Sequence, residues 1–192
     1  MLRDPGVTAE AVVTPVVPRP ARQADLVSLL FDLDPVVRGR AALAIGRVGI
    51  AEGGPALAAA LLDAEPAVRG QAAFALGLIG RAEASEPLQR LLADADPTVR
   101  GRAAEGLGLI GAQLTDPAAS AFRAPAAVAI AAAFAPCIPQ MAALAPDDEA
   151  YTRTPELEAC RLAILALARL RDFDALARVA LTADGRPATA WW

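Results

Sequence analysis

The chain has 192 residues, enough for one domain or one compact array with a sizeable core, and 55% of them are hydrophobic while only 4% are aromatic. All 18 basic residues are arginine, set against 22 acidic ones, and the net charge of −4 excludes the overall positive field of a protein that condenses on phosphate backbones. Histidine is absent, so neither a Ser–His or Cys–His dyad nor a histidine metal site can be built.

In chain order, the first segment (MLRDPGVTAEAVVTPVVPRPARQ) carries Asp4 and Glu10 and no continuous apolar run. It reads as an extended segment over 1–21 rather than a signal peptide, with the cytoplasm as the default address. From Leu26 onward an internal repeat takes over. Asp34-Pro35-Val36-Val37-Arg38-Gly39-Arg40-Ala41-Ala42 is echoed at Glu65–Ala73 and again at Asp96–Ala104, with a period of 31 residues both times. The same register aligns Asp32, Asp63 and Asp94, then Gly46, Gly77 and Gly108, then Gly49, Gly80 and Gly111.

Each copy predicts two helices. The first is short, with Leu26, Leu29 and Leu30, or Leu57, Leu61 and Leu62, on its apolar side. The second opens with an acidic N-cap followed by proline at the first helical position, where a fixed φ and a missing N–H cost nothing. It is expected to close on glycine in the left-handed C′ conformation. Val37, Ala41, Ile45 and Val48, with their counterparts in the next two copies, recur at helical spacing and predict a core stripe. Glycine and alanine recur on a second face (Gly39, Ala42, Gly46 and equivalents), which predicts close backbone approach between consecutive second helices. A two-helix unit of this size cannot bury its stripe alone, so the copies must stack.

After Gly111 the register is lost. Two readings compete for the chain beyond Asp116-Pro117: a degenerate repeat with a shortened first helix, or an extended first helix, broken by proline and running to about Ala145. The second is preferred, because Thr154-Pro155 then opens a second helix ending near Arg171. The uncharged stretch from Ala124 to Pro146 contains four prolines and much alanine, and reads as buried helix rather than a membrane span. Asp147, Asp148 and Glu149 read as a solvated loop, not a Ca²⁺ or Mg²⁺ site. Cys137 and Cys160 form no metal motif or disulfide framework and read as free, buried thiols. A further first helix is expected from Asp172 and another second helix at Pro187. The terminal Trp191 and Trp192 suggest that missing chain or a partner covers that end.

Gly106-Leu107-Gly108-Leu109-Ile110-Gly111 matches the dinucleotide-binding string GxGxxG, but it falls at the end of a predicted helix, where that fingerprint requires a strand before it. No cofactor is expected. The only serines, Ser28, Ser85 and Ser120, have no base beside them in sequence, and no catalytic residue is assigned.

The run D-x-x-P-x-V-R-x-x-A-A-x-A-L-G-x-I-G over Asp32–Gly49, Asp63–Gly80 and Asp94–Gly111 resembles the HEAT-repeat family, in particular the short bacterial repeats of phycobilisome lyase-like proteins. The resemblance implies an all-α solenoid of stacked antiparallel helix pairs in a right-handed superhelix. It would span 22–192, with regular repeats at 22–49, 53–80 and 84–111, an irregular repeat with an insertion at 112–171 and an incomplete one at 172–192. It also implies Asp–Arg bonds across successive units, with Asp32 and Arg38, Asp63 and Arg69, and Asp94 and Arg100 as the matching residues. Second helices usually line the concave side of such solenoids, so the positions opposite the stripe would form a partner-binding groove: Arg40, Arg47, Gln71, Phe74, Arg102 and Glu105, with Leu43, Leu78 and Leu109.

The function expected is therefore a non-catalytic scaffold for a protein partner, with no nucleic acid and no membrane. The alternative comes from a similarity of the C-terminal text to bacterial proteins that join HEAT repeats to a cyclophilin-type peptidyl-prolyl isomerase. This chain would then be the helical-repeat portion of a larger enzyme whose catalytic domain lies elsewhere.

Overall fold

A computed structural model describes residues 23–115, 117–137 and 154–180. Helix pairs follow one another along the chain, and no strand occurs among the described residues. The first unit pairs α1 (Gln23–Ser28), continued by a 3₁₀ turn over Leu29–Phe31, with α2 (Pro35–Val48). The second pairs α3 (Gly54–Ala60) with α4 (Pro66–Ile79), and the third pairs α5 (Ser85–Leu91) with α6 (Pro97–Gln113). α7 (Ala118–Phe134) and α8 (Pro155–Leu170) form the fourth, and α9 (Phe173–Ala180) comes after them. The second helices make the spine: α2 packs on α4, α4 on α6, and α6 on α8.

The starts of the second helices are explained by their caps. Asp34 accepts from Val36 N at 2.8 Å, and Asp96 accepts from Thr98 N at 2.8 Å and Val99 N at 3.2 Å. Proline occupies the first helical position in α2, α4 and α6. α2 and α4 stop at Gly49 (φ 76°) and Gly80 (φ 77°), left-handed conformations that glycine adopts without steric cost.

α6 departs from this pattern. Gly111 is not a C′ residue; the helix runs through it to Gln113. The orphan carbonyls find side chains instead: Arg123 donates from Nε to Gly111 O (2.9 Å) and from Nη2 to Leu114 O (3.1 Å). Gly111 is buried against Leu170 and Phe122, so its missing side chain serves packing rather than a turn.

Pro125 lies inside α7 without breaking it, and the helix ends at Phe134, two residues before Pro136. The carbonyl that the proline leaves without an N–H partner belongs to Ala121, an exposed residue, so water can satisfy it. A 3₁₀ turn over Ala135–Cys137 comes next, and the expected continuation to Ala145 lies outside the described residues. So do the extended segment 1–21, Asp116, the carboxylates 147–149 and the helix expected at Pro187. Ala118–Cys137 is long and apolar enough to cross a membrane by length and composition. In this fold it packs through Ala119, Phe122, Ala126, Ala127, Ile130 and Phe134, all buried.

The cysteines are joined to each other, not free: Cys137, at the end of the 3₁₀ turn, is disulfide-bonded to Cys160 of α8, with Cα atoms 6.3 Å apart. The 23-residue separation carries no hint of this, because only the docking of α7 on α8 brings the two together.

One continuous apolar core runs through the units, with Ile45, Leu57, Val68, Leu88, Leu107, Ile130 and Leu167 fully buried. Each such side chain contributes about 1.5–3 kcal/mol relative to exposure. The predicted stripe is complete in α6, but in α2 Val48 is 64% exposed, and Leu62, expected on an apolar face, is 86% exposed at a turn.

The spine is tight where glycine recurs. A Cβ at Gly46 would lie 2.5 Å from Ala75 Cα, one at Gly77 2.6 Å from Gly106 Cα, and one at Gly108 2.7 Å from Ala166 Cα. The dinucleotide-like string thus lies in the last turns of α6 and serves interhelical contact.

Candidate functional site

Two sets of side chains organise the surface of the spine. The first is an arginine–aspartate ladder. Arg38 donates from Nη1 to the carbonyls of Asp32 (2.8 Å) and Leu33 (3.1 Å), then from Nε and Nη2 to the Asp63 carboxylate at 2.7 and 2.8 Å. Arg69 repeats this arrangement one unit later, on the carbonyls of Asp63 and Ala64 and the carboxylate of Asp94. The expected bonds across successive units are present for Arg38 and Arg69, but the pairs Asp32–Arg38, Asp63–Arg69 and Asp94–Arg100 are corrected, since in each the arginine meets only the aspartate's backbone carbonyl. Arg38 and Arg69 take only backbone oxygens from their own unit and the carboxylate from the next. A guanidinium has enough parallel donors to do both, and the helix start places the aspartate of the next unit in front of its fork.

The electrostatics agree with the geometry. The hydrogen bonds from Arg38 hold Asp63 below the ordinary aspartate range, although burial works against them, and those from Arg69 do the same for Asp94. The guanidiniums of Arg38 and Arg69 are raised in turn, chiefly by those same carboxylates.

The second set is the row of side chains on the second helices. Arg40 and Arg47 of α2 are exposed. Gln71 and Phe74 of α4 are half-buried, as are Arg102 and Glu105 of α6. All six expected groove residues lie on the successive second helices α2, α4 and α6. Arg102 Cζ sits 5.1 Å from the centre of the Phe74 ring, within cation–π range, and its Nη1 pairs with Glu105 Oε2 at 2.7 Å. The stem of Arg102 lies over Gly70, and Gln71 lies over Gly39. Leu43, Leu78 and Leu109 are half-buried between these polar groups.

Sequence reasoning missed the continuation of this row on α8. Arg161 there pairs with Glu158 at 2.6 Å, and its charge is favoured first by Glu158 and also by Glu105 of α6. The loss of register after Gly111 hid it, since nothing in the spacing assigned Arg161 to a repeat position. Also missed was a cleft of about 530 Å³ between α3 and α5, with Leu76 and Ile79 among its lining and Pro55 and Pro87 on either side. It exists because those two short helices do not close on each other, which no pattern in the sequence encodes.

Among the described residues no cluster of side chains suited to a metal ion occurs. What the surface offers is a charged and aromatic face of fixed geometry.

Comparison with known proteins agrees with the architecture. A family model described as HEAT repeats matches residues 54–154, and one described as PBS lyase HEAT-like repeat matches 37–63. No curated protein matches the chain significantly. Among solved structures, the chain is similar to one in the complex of CpcE and CpcF of phycocyanin lyase from Nostoc sp. PCC7120, with a TM-score of 0.65 and 23% identity. The match covers 89% of this chain and 62% of that one, so this chain spans less than two thirds of its length. A second similarity is to an engineered protein, with a TM-score of 0.50, 22% identity, and coverage of 82% of this chain and 67% of that one. At these identities the likeness speaks for the fold.

Proposed function

The chain belongs to the HEAT-repeat family, and we propose that it is a non-catalytic scaffold that binds a protein partner along the face of its second helices. The observation that carries this reading is the Arg102–Phe74 stack, with Glu105 fixing the guanidinium. Arginine and aromatic side chains contribute a large share of affinity at protein interfaces, and a pre-ordered pair loses less entropy on binding. Arg40 and Arg47 extend the same row as exposed cations. The similar solved chain comes from a complex of two subunits, which supports protein association as a use of such an array.

The non-catalytic part of the proposal rests on the absence of histidine, and the reading requires no cofactor. The net charge of −4 bears against nucleic acid as the partner. A cytoplasmic address goes with the reading. The Cys137–Cys160 bond bears against that address, because structural disulfides are characteristic of oxidising compartments; trapping the thiol state in cells decides the point.

The test compares proteins retained by the immobilised chain with those retained by the Arg40→Glu/Arg102→Glu variant, after circular dichroism has shown that both melt alike. At least one partner should bind the variant about tenfold or more weakly. Equal retention of the same proteins, or turnover of a substrate by the purified chain alone, overturns the reading.

A further inference from the structure

The ladder runs along the edge where each first helix turns into its second, and among the described residues its last rung is open. Arg100 reproduces the fixed half of the arrangement: Nη1 donates to the carbonyls of Asp94 and Ala95 at 2.9 and 3.0 Å. In the two earlier units Nε and Nη2 then close on an aspartate 25 residues further on. The residue 25 after Arg100 is Pro125, inside α7. The ladder aspartate stands two residues before the N-cap in each of the first three units, and at that place in the fourth the sequence has Thr152. Among the described residues no carboxylate meets Nε or Nη2 of Arg100, while the rest of its guanidinium is held as firmly as in the completed rungs.

We propose that Arg100 is a preformed carboxylate-binding site on this edge, taken by an aspartate or glutamate side chain of a partner protein. Three observations specify the ligand. The sister arginines, with the same backbone anchors, both take a carboxylate through the same two donors, the fork-to-fork geometry that suits this group. Asp94 and Asp96 lie beside Arg100, and Asp94 feels its charge; their negative field favours a singly charged ligand over a doubly charged phosphate. In the completed rungs the carboxylate also accepts a backbone N–H two residues on, Glu65 N to Asp63 at 2.9 Å and Asp96 N to Asp94 at 2.9 Å. A side chain presented by such a turn meets the guanidinium already oriented. Residues two apart on a helix do not share a face, so this site is separate from the Arg102 row and independent of the partner proposed there.

The test monitors the arginine Nε–H signals of the ¹⁵N-labelled full chain during titration. The probes are sodium acetate, sodium phosphate at equal ionic strength, and the singly charged peptide acetyl-Asp-Ala-Asn-Pro-amide. Arg100→Lys assigns the signal, with Arg100→Gln as a second variant should the first not fold. The Arg100 signal should move saturably with acetate and reach half-saturation at about tenfold lower concentration with the peptide. Arg38 and Arg69 should stay unmoved, and Arg40 should drift without saturating.

Equal, unsaturated drift of Arg40, Arg47 and Arg100 overturns the site. Tighter binding of phosphate than of acetate overturns the ligand class, and a peptide no better than acetate overturns the partner side chain. If Asp147→Asn/Asp148→Asn/Glu149→Gln shifts the Arg100 signal in the absence of any probe, the chain completes its own rung and the proposal fails.

Discussion

Arg38 joins the first unit to the second by holding both carboxylate oxygens of Asp63, at 2.7 and 2.8 Å, while the same guanidinium grips the Asp32 and Leu33 carbonyls. The Asp63 side chain is only 12% exposed, so the pair lies partly out of reach of solvent screening. Replacing Asp63 with Asn or Ala leaves the fork without its charged acceptor. The expected loss in urea unfolding is about 1.5–3 kcal/mol, the range for hydrogen bonds to charged groups. A double-mutant cycle with Arg38→Gln should show that the two substitutions are not additive.

The ladder also sets an acid limit. Asp63 and Asp94 have folded-state values below the ordinary 3.8, chiefly through their arginine hydrogen bonds. Such groups contribute stability that is fully present above the unfolded value and is lost as pH falls through the depressed one. Stability in urea should therefore hold as pH is lowered towards 3.8 and decline below it. The Asp63→Asn/Asp94→Asn variant should show a shallower decline over the same window.

Two glycines in the same helix should respond oppositely to alanine. At Gly46 a Cβ would meet Ala75 Cα at 2.5 Å and Ala75 Cβ at 2.7 Å, so α2 and α4 must separate, at about 1–3 kcal/mol. At Gly39 the nearest atoms, Gln71 Cγ at 3.8 Å and Val68 Cγ2 at 4.0 Å, are at ordinary contact distance. Gly39→Ala should stabilise by about 0.5–1 kcal/mol, because a mid-helix glycine loses more backbone entropy than alanine. Thermal melts of the two variants check both signs.

The Cys137–Cys160 bond ties the end of the turn after α7 to α8. Cys137→Ser should lower stability by about 2–4 kcal/mol, within the range for native cross-links. Wild type in excess dithiothreitol should melt close to the variant. If oxidised wild type, reduced wild type and variant all melt together, the cross-link does not form in solution.

The paired helices and their stacking were legible because every copy carries its own start signals and small-residue register. Asp34-Pro35 and Asp96-Pro97 are local devices, and Gly46, Gly77 and Gly108 recur for one spatial reason, the approach of neighbouring backbones. Gly111 misled for the same reason: its register says C′, but the chain had found other donors for those carbonyls in Arg123, twelve residues away. The groove residues were legible as positions on helices. That Phe74 and Arg102 stack, whereas Arg40 and Arg47 of α2 are exposed, was not legible, because that depends on how far each helix is covered by its neighbour.

The sequence by itself determined the repeating unit, the helix starts and the close approach of the second helices, since these arise from dihedral preferences and side-chain volumes acting over a few residues. Only the tertiary structure decided which aspartate Arg38 and Arg69 each hold and that Cys137 meets Cys160. Those outcomes depend on distances between residues remote in the chain, which are set when the units dock, and no local preference carries them.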